Sequence, residues 1–170
     1  VLWNKTRIDP VCEVDTVNAL VSLLPRVRFV STFAEPAPNV TVTGRLPFEE
    51  AKQEVRGAGV YLCTTRETFG IGTLEAMACG VPIVGYRFGG QAEYIEHGVD
   101  GWLAEPGDIR GLAEGIDWAF KNRETAGKAA REKAGQFSWT AAAGVYADLY
   151  RRVEAQYEAL HATVAAAQEG

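Results

Sequence analysis

Short runs of β-branched and aromatic residues alternate along this chain with stretches whose apolar residues recur at helical spacing. The short runs predict strands at 1–3, 27–33, 40–43, 60–63 and 82–86. The stretches at helical spacing predict helices at 14–24, 47–55 and 73–79. Strands that alternate with helices are typical of a parallel sheet covered on both faces, so the pattern predicts an α/β fold with an open parallel sheet.

The last third of the chain is helical in pattern. An amphipathic helix is predicted from Ile109 to Phe120 with Asp108 as its N-cap, followed by a second helix over about 123–135. From Ser138 onward alanine is abundant and one apolar stripe continues to Val164. We therefore predict one domain over 1–170, in which 138–170 form a long C-terminal helical extension.

Composition narrows the class of protein. The chain has 170 residues, is 47% hydrophobic and 23% charged, and carries a net charge of −5. These values are typical of a globular domain and give no electrostatic reason to expect a nucleic-acid partner. There is no apolar run long enough to cross a membrane, and the three cysteines form neither a disulfide framework nor a metal-ligand pattern. We predict a cytoplasmic protein, with any attachment to the cytoplasmic face of a membrane supplied by a part that is missing here.

The start of the chain suggests a missing part. Residue 1 is Val, and the only methionine is Met77. We therefore expect the chain to belong to a longer protein or to have lost its N-terminus.

Glycine marks the segment that carries the chemistry. Half of the 18 glycines lie between Gly70 and Gly107. Residues 64–75 follow the strand at 60–63 and lead into a helix, and Gly70 and Gly72 lie at that junction. A glycine-bearing loop that runs into a helix N-terminus presents free N–H groups, which favours a phosphate or diphosphate site.

Two glutamates stand on either side of these glycines. Glu67 is predicted to lie in the loop and Glu75 in the first turn of the following helix, so both can flank one ligand. Carboxylates only accept hydrogen bonds, which makes sugar hydroxyls natural partners. The alternative is structural: Glu75 would simply favour a helix N-terminus, and Glu67 would be solvated.

The segments at 67–70 and 75–84 resemble the E-x7-E signature of retaining GT-B glycosyltransferases in the broad GT4-like group, the glycosyl transferases group 1. The resemblance continues through Gly89-Gly90, Glu93, Gly98, 100–103, 106–108 and 137–139. It covers only the family's Rossmann-like, nucleotide-sugar-binding C-terminal domain. The N-terminal domain, which binds the acceptor, is missing.

The resemblance implies roles by position. Glu67 would contact hydroxyls of the donor hexose, and Glu75 would bind the ribose. Arg7 would hold the diphosphate, while Arg45 and Leu46, after Gly44, fall where the family seats the nucleobase. Backbone N–H groups of the loop and helix start would hold sugar and diphosphate; these belong to Phe69, Gly70, Ile71, Gly72, Thr73 and Leu74.

The front of the chain departs from the family's pattern. The family grips the diphosphate with a Gly-Arg pair and with a lysine five residues after the arginine. Here Thr6 replaces the glycine and Cys12 stands at the lysine position. Glu13 stands where a further glycine is expected. Two alternatives stay open: this branch handles the leaving diphosphate differently, with Lys5 as a substitute cation that the sequence cannot show, or the domain is catalytically weakened.

The function that follows is that of a donor-binding domain. We predict a retaining, metal-independent glycosyltransferase that uses a nucleoside diphosphate sugar as substrate, with no cofactor and no metal. Its acceptor would be bound by the missing N-terminal domain or by a separate acceptor subunit. The alternative is a non-catalytic nucleotide-sugar-binding or scaffold subunit, and an epimerase or phosphorylase on the same architecture stays open.

Overall fold

The sheet is parallel throughout, as the alternation of strands and helices predicts. The computed structural model describes residues 1–6 and 8–168, and the side chains of these as far as residue 161. Over this part of the chain six strands lie in the order β3-β2-β1-β4-β5-β6, and every neighbouring pair is parallel. The strands are β1 (Leu2–Trp3), β2 (Phe29–Ser31), β3 (Val40–Val42), β4 (Tyr61–Cys63), β5 (Ile83–Tyr86) and β6 (Gly101–Ala104).

The helices fall between the strands and after them. Their bounds are α1 (Val14–Leu23), α2 (Phe48–Gly57), α3 (Ile71–Ala78), α4 (Gln91–Tyr94), α5 (Ile109–Lys121), α6 (Arg123–Ala134) and α7 (Trp139–Gln168), with a short 3-10 helix at Pro10–Cys12. The Asp108 carboxylate accepts a hydrogen bond from the Gly111 amide at 2.9 Å, which confirms Asp108 as the N-cap of α5.

The strand β6 and the short helix α4 are absent from the predicted elements. β6 begins at Gly101, and glycine weakens a strand signal. The structure explains the glycine, because a Cβ at this position would lie 2.8 Å from Cγ2 of Ile95 and 2.9 Å from the carbonyl oxygen of Ile83. Close approach of two backbones therefore sets this residue type, and no pattern within β6 reveals it.

Alternating strand residues feed two apolar clusters, one on each face of the sheet. Trp3, Leu62 and Val84 belong to the cluster that includes α1 and α5. Their neighbours Leu2, Cys63 and Ile83 belong to the cluster that includes α3 and α6. Because successive strand residues point to opposite faces, this division confirms helices on both faces of the sheet.

The chain separates into two compact units, Val1–Gly135 and Gln136–Gly170. The second consists mainly of α7, which extends over 30 residues. The large apolar side chains of the helix are exposed, among them Trp139 and Tyr150. Within the described residues, no helix has the length and apolar character needed to cross a membrane.

Candidate functional site

The site lies where the order of strands reverses. The chain runs outward from β1 through β2 to β3, then returns to place β4 on the other side of β1 and continues to β6. Leu2 of β1 pairs with Tyr61 of β4 at this point. In open parallel sheets, ligands bind outside the carboxyl ends of the strands at such a reversal. A binding site is therefore expected at the segments that follow β1 and β4.

The loop after β4, residues 64–70, is held by close backbone contacts; we call it the braced loop. The Gly90 amide donates to the Glu67 carbonyl oxygen at 3.2 Å. A Cβ at Gly89 would overlap that same oxygen, and one at Gly90 would lie 2.7 Å from Cα of Phe69. Only glycines allow the segment after β5 to approach the loop this closely, so Gly89 and Gly90 fix the backbone on which Glu67 stands.

Tyr94 of α4 supports the same loop from the other end. Its hydroxyl lies 3.0 Å from the carbonyl oxygen of Phe69 and 3.2 Å from that of Gly70, and donates to them. Burial raises the pKa of Tyr94, so the hydroxyl keeps its proton and remains a donor. Tyr94 is not among the predicted site residues. The signal in the sequence is indirect, since Tyr94 lies four residues after Gly90 in a Gly-Gly pair to which the motifs assign no role.

A buried polar network lies beneath the loop. The Cys63 thiol donates to the Gln91 side-chain oxygen at 2.8 Å and accepts a hydrogen bond from the Thr73 hydroxyl at 3.2 Å. The Gln91 amide group donates to the Tyr86 carbonyl oxygen at 2.9 Å. Burial raises the pKa of the Cys63 thiol, which therefore stays neutral. These contacts tie β4, α3 and α4 together below the site.

The start of α3 differs from the prediction. The helix begins at Ile71, with Gly70 as N-cap at a positive φ of 86°, two residues earlier than predicted. Glu75 is therefore the fifth residue of the helix, and the prediction that it lies in the first turn was wrong, since that turn holds no acidic residue. Gly72, predicted to lie at the junction of loop and helix, is the second residue of the helix. The Glu75 side chain is exposed.

The amides at the start of α3 are partly engaged within the helix. The amides of Thr73 and Leu74 both donate to the Gly70 carbonyl oxygen, at 3.0 and 3.2 Å. The donors at the open end of the helix are thus those of Gly70, Ile71 and Gly72, which precede its first internal hydrogen bonds. Of the six amides predicted to hold a ligand, these are the best placed to do so.

Glu67 faces a cation from the neighbouring strand. Its side chain is 41% exposed, and one carboxylate oxygen lies 3.8 Å from Nζ of Lys5, whose side chain is only 10% exposed. Lys5 follows β1, so the ion pair spans the reversal point between β1 and β4. The structure thus resolves the position of Lys5 that the sequence left open.

A cavity of about 180 Å³ opens at the carboxyl ends of β1, β2 and β3. Arg45 and Leu46, the predicted nucleobase residues, both line it, and α2 closes one side with Ala51 and Glu54. Lys5 lines the same cavity. A separate open groove of about 430 Å³ is lined by residues that include Glu67, Phe88 and Gly89. Of the predicted residues, Arg45 and Leu46 therefore line one depression and Glu67 lines the other, and the ion pair between Lys5 and Glu67 joins the two.

Cys12 and Glu13, which differ from the residues that the family carries at these positions, both have defined contacts in the structure. Cys12 is buried, its thiol pKa is raised chiefly by burial, and its carbonyl oxygen accepts a hydrogen bond from the Thr64 hydroxyl at 2.8 Å. Glu13, at the expected glycine, adopts the left-handed conformation with φ of 54°. It pairs with Arg66 of the braced loop at 3.2 Å. The predicted diphosphate residue Arg7 lies outside the described residues.

The last feature of the site is its supply of side chains that could hold a metal ion. Among the residues that the structure describes, no three His, Cys, Asp or Glu side chains are grouped so as to hold a metal ion.

Comparison with known proteins identifies the class to which this fold and site belong. The sequence model of the family described as glycosyl transferases group 1 matches residues 27–136. The chain therefore belongs to the glycosyl transferases group 1 family, as the motifs around Glu67 and Glu75 indicated.

Individual proteins are similar to this chain as well. The chain is 28% identical over 185 aligned residues to D-inositol 3-phosphate glycosyltransferase of Mycolicibacterium smegmatis, covering 96% of this chain and 43% of that protein. Among solved structures, sucrose-phosphate synthase from Thermosynechococcus elongatus superimposes with a TM-score of 0.77 at 24% identity, over 91% of this chain and 45% of that one.

A third comparison involves a structure with a ligand. Anabaena HepE in complex with UDP-glucose superimposes with a TM-score of 0.69 at 23% identity, over 79% of this chain and 43% of that one. At these identities the two structural matches show the fold alone. This chain spans less than half the length of each of the three proteins.

Proposed function

We propose that this chain is the donor-binding domain of a retaining, metal-independent glycosyltransferase that transfers a hexosyl group from a nucleoside diphosphate sugar. The acceptor would be bound by an N-terminal domain or a partner subunit. One observation carries the proposal: the braced loop carries Glu67 and leads directly into the open end of α3, and the Glu67 carboxylate pairs with Lys5, which lines the cavity at the ends of β1, β2 and β3. Family membership and the ligand of HepE point to the same class of donor.

Each part of such a donor has a counterpart in the arrangement. The nucleobase would occupy the cavity lined by Arg45 and Leu46, and Glu75 would accept hydrogen bonds from the ribose hydroxyls. The diphosphate would lie at the amides of Gly70, Ile71 and Gly72, where the helix N-terminus favours negative charge. Glu67 would accept hydrogen bonds from hexose hydroxyls. By resemblance, Arg7 would add a further cation for the diphosphate.

In the transfer step, the acceptor hydroxyl oxygen forms a bond to the anomeric carbon as the bond from that carbon to the diphosphate oxygen breaks. The electron pair of the broken bond leaves with the diphosphate, which also takes the hydroxyl proton. Attack from the face that the diphosphate leaves retains the anomeric configuration. The domain's contribution is to stabilise the charge that develops on the diphosphate, because fixed amides and cations need no reorganisation to do so.

Calorimetric titration of the chain with UDP, GDP and ADP, each with and without an attached hexose, tests the proposal. We expect saturable binding of one diphosphate. Glu75→Ala should weaken that binding by about 1.5–3 kcal/mol, the range for a charge-assisted hydrogen bond. Glu114→Ala, which removes an exposed glutamate from α5, is the matched control and should bind like the unaltered chain. Absence of binding by all three diphosphates and their sugars would contradict the proposal.

The role of Glu67 has its own signature in the same titrations. Glu67→Ala should weaken binding of the nucleotide sugar and should not weaken binding of the bare diphosphate, because its partners are hexose hydroxyls. Equal losses for the two ligands would contradict this role.

A second candidate function is a nucleotide-sugar-binding subunit without catalysis. The observation that favours it is Cys12, whose buried neutral thiol cannot supply the charge of the lysine that the family places there. Supplying an acceptor-binding domain in trans separates the two candidates. Transfer of the hexose supports the enzyme, whereas donor binding without transfer supports the subunit.

A further inference from the structure

Lys5 occupies a fixed position at the reversal point of the sheet. It lies two residues beyond β1, and its backbone amide donates to the hydroxyl of Thr32, after β2, at 2.9 Å. Its side chain is 10% exposed, and its ammonium lies 3.8 Å from the carboxylate of Glu67. A largely buried ammonium beside this carboxylate is restricted in position, and its three N–H donors allow it to bind a second anion.

The ion pair of Lys5 with Glu67 also joins the two depressions of the site. Lys5 lines the cavity that contains Arg45 and Leu46, and its ion-pair partner Glu67 lines the open groove. A nucleoside diphosphate sugar whose base enters the cavity and whose hexose reaches Glu67 must pass its diphosphate between them. The side chain at that crossing is Lys5.

The position at which the family carries a lysine offers no charge in this chain. Cys12 is 2% exposed and lies in the 3-10 helix, where its carbonyl oxygen accepts a hydrogen bond from the Thr64 hydroxyl. The diphosphate therefore lacks one of its expected cations.

We propose that Lys5 is the diphosphate-binding cation of this site and takes over the role of the lysine that Cys12 replaces. The inference rests on the proposed donor-binding function and names the residue that completes it. A cation from the segment after β1 would add its charge to the donors of the α3 amides, so the diphosphate would receive charge-assisted hydrogen bonds as well as backbone ones.

The electrostatics of the neighbouring thiols agree with this placement. Burial is the largest influence on both Cys12 and Cys63 and raises their pKa values, and the positive charge of Lys5 acts on both in the opposite direction. One ammonium thus lies close enough to influence groups after β1 and at the end of β4.

Lys5→Met tests the assignment, because methionine keeps the apolar stem and removes the charge. The probes are the diphosphate among UDP, GDP and ADP that the unaltered chain binds, and the matching nucleoside without phosphate. We expect the variant to bind the diphosphate about 10- to 100-fold more weakly and the nucleoside unchanged. Lys121→Met on α5, whose side chain is exposed, is the matched control for loss of one positive charge.

The outcomes separate the two levels of the argument. If the unaltered chain binds none of the three diphosphates, the donor site itself is refuted and the role of Lys5 falls with it. If it binds one and Lys5→Met binds that diphosphate equally well, the assignment of Lys5 alone is wrong. An equal loss for diphosphate and nucleoside also overturns it, since that pattern reports a damaged fold and not a missing charge.

Glu67→Gln gives a second test that does not depend on changing Lys5. Removing the carboxylate frees the ammonium for the ligand, so the bare diphosphate should bind about 2- to 10-fold more tightly. In the Lys5→Met background this gain should shrink, because part of it acts through Lys5. A gain of equal size in both backgrounds, or no gain in either, contradicts the proposal.

Discussion

The braced loop and the outer edge of the sheet are built in different ways, although both border the same candidate site. We use "outer edge" for β3 with α2. The backbone of the braced loop lies against the backbone at Gly89 and Gly90, and its Phe69 carbonyl oxygen accepts a hydrogen bond from the Tyr94 hydroxyl. The outer edge has no fully buried side chain in either element, and Phe48 of α2 is 73% exposed.

This difference separates two tasks of one site. In the proposed function, Glu67 would have to be held in a fixed direction to discriminate between hydroxyls, and close packing of the braced loop would provide that. The residues predicted to seat the base, Arg45 and Leu46, lie on a segment with little packing to fix it. We infer that the outer edge is the adaptable part of the site and that the braced loop is its rigid reference.

Among changes within the two regions, the largest expected effect comes from adding one carbon to each. Gly89→Ala places a Cβ against the Glu67 carbonyl oxygen at a residue with φ of 63°, and should destabilise the fold by about 2–3 kcal/mol. Gly57→Ala, at the end of α2, is the matched control, because nothing lies within 4 Å of its Cβ. Urea denaturation measures both variants. Equal midpoints would show that the loop is not braced.

Removing the Tyr94 hydroxyl gives the next largest effect. Tyr94→Phe keeps the ring and leaves the carbonyl groups of Phe69 and Gly70 without this donor, which should cost about 1–2 kcal/mol of stability. Tyr150→Phe, at an exposed position of α7, should change nothing measurable. Thermal denaturation of the two variants compares them. Should Tyr94→Phe be as stable as the control, the hydroxyl does not support the loop.

Replacing Glu13, which pairs with Arg66 of the braced loop, by glycine should raise the stability of the fold, whereas the two preceding changes lower it. A non-glycine residue in the left-handed conformation is strained, so Glu13→Gly should stabilise the chain by about 0.5–1 kcal/mol. Glu13→Ala keeps the strain and removes the same pairing with Arg66, and so serves as the control. Chemical denaturation should rank the glycine variant above both the alanine variant and the unaltered chain. A glycine variant no more stable than the alanine variant would exclude strain at this position.

The same contrast explains what the sequence could and could not reveal. The alternation of strands and helices predicts the parallel sheet, because a sheet buried on both faces requires apolar residues within each short strand, and that pattern is visible in each segment by itself. The glycines around the braced loop are visible as residue types, but their purpose depends on contacts between segments about twenty residues apart, as between Glu67 and Gly89. For the same reason no local pattern marks Tyr94, whose contacts are to Phe69 and Gly70. The start of α3 was predicted two residues late because Gly70 and Gly72 weaken the helical pattern there. No periodicity in the sequence could place Lys5 beside Glu67, because that ion pair joins two strands across the sheet.

The smallest expected effect lies at the outer edge and completes the comparison. Phe48→Ala removes a large apolar side chain that is 73% exposed, so it should change the free energy of unfolding by less than about 0.5 kcal/mol. Phe29→Ala, which truncates a phenylalanine that is 1% exposed in β2, should instead cost about 3–5 kcal/mol. Urea denaturation of both variants sets the scale. A loss above about 1 kcal/mol for Phe48→Ala would mean that α2 is packed as firmly as the braced loop, and an outer edge held that firmly could not be the adaptable side of the site.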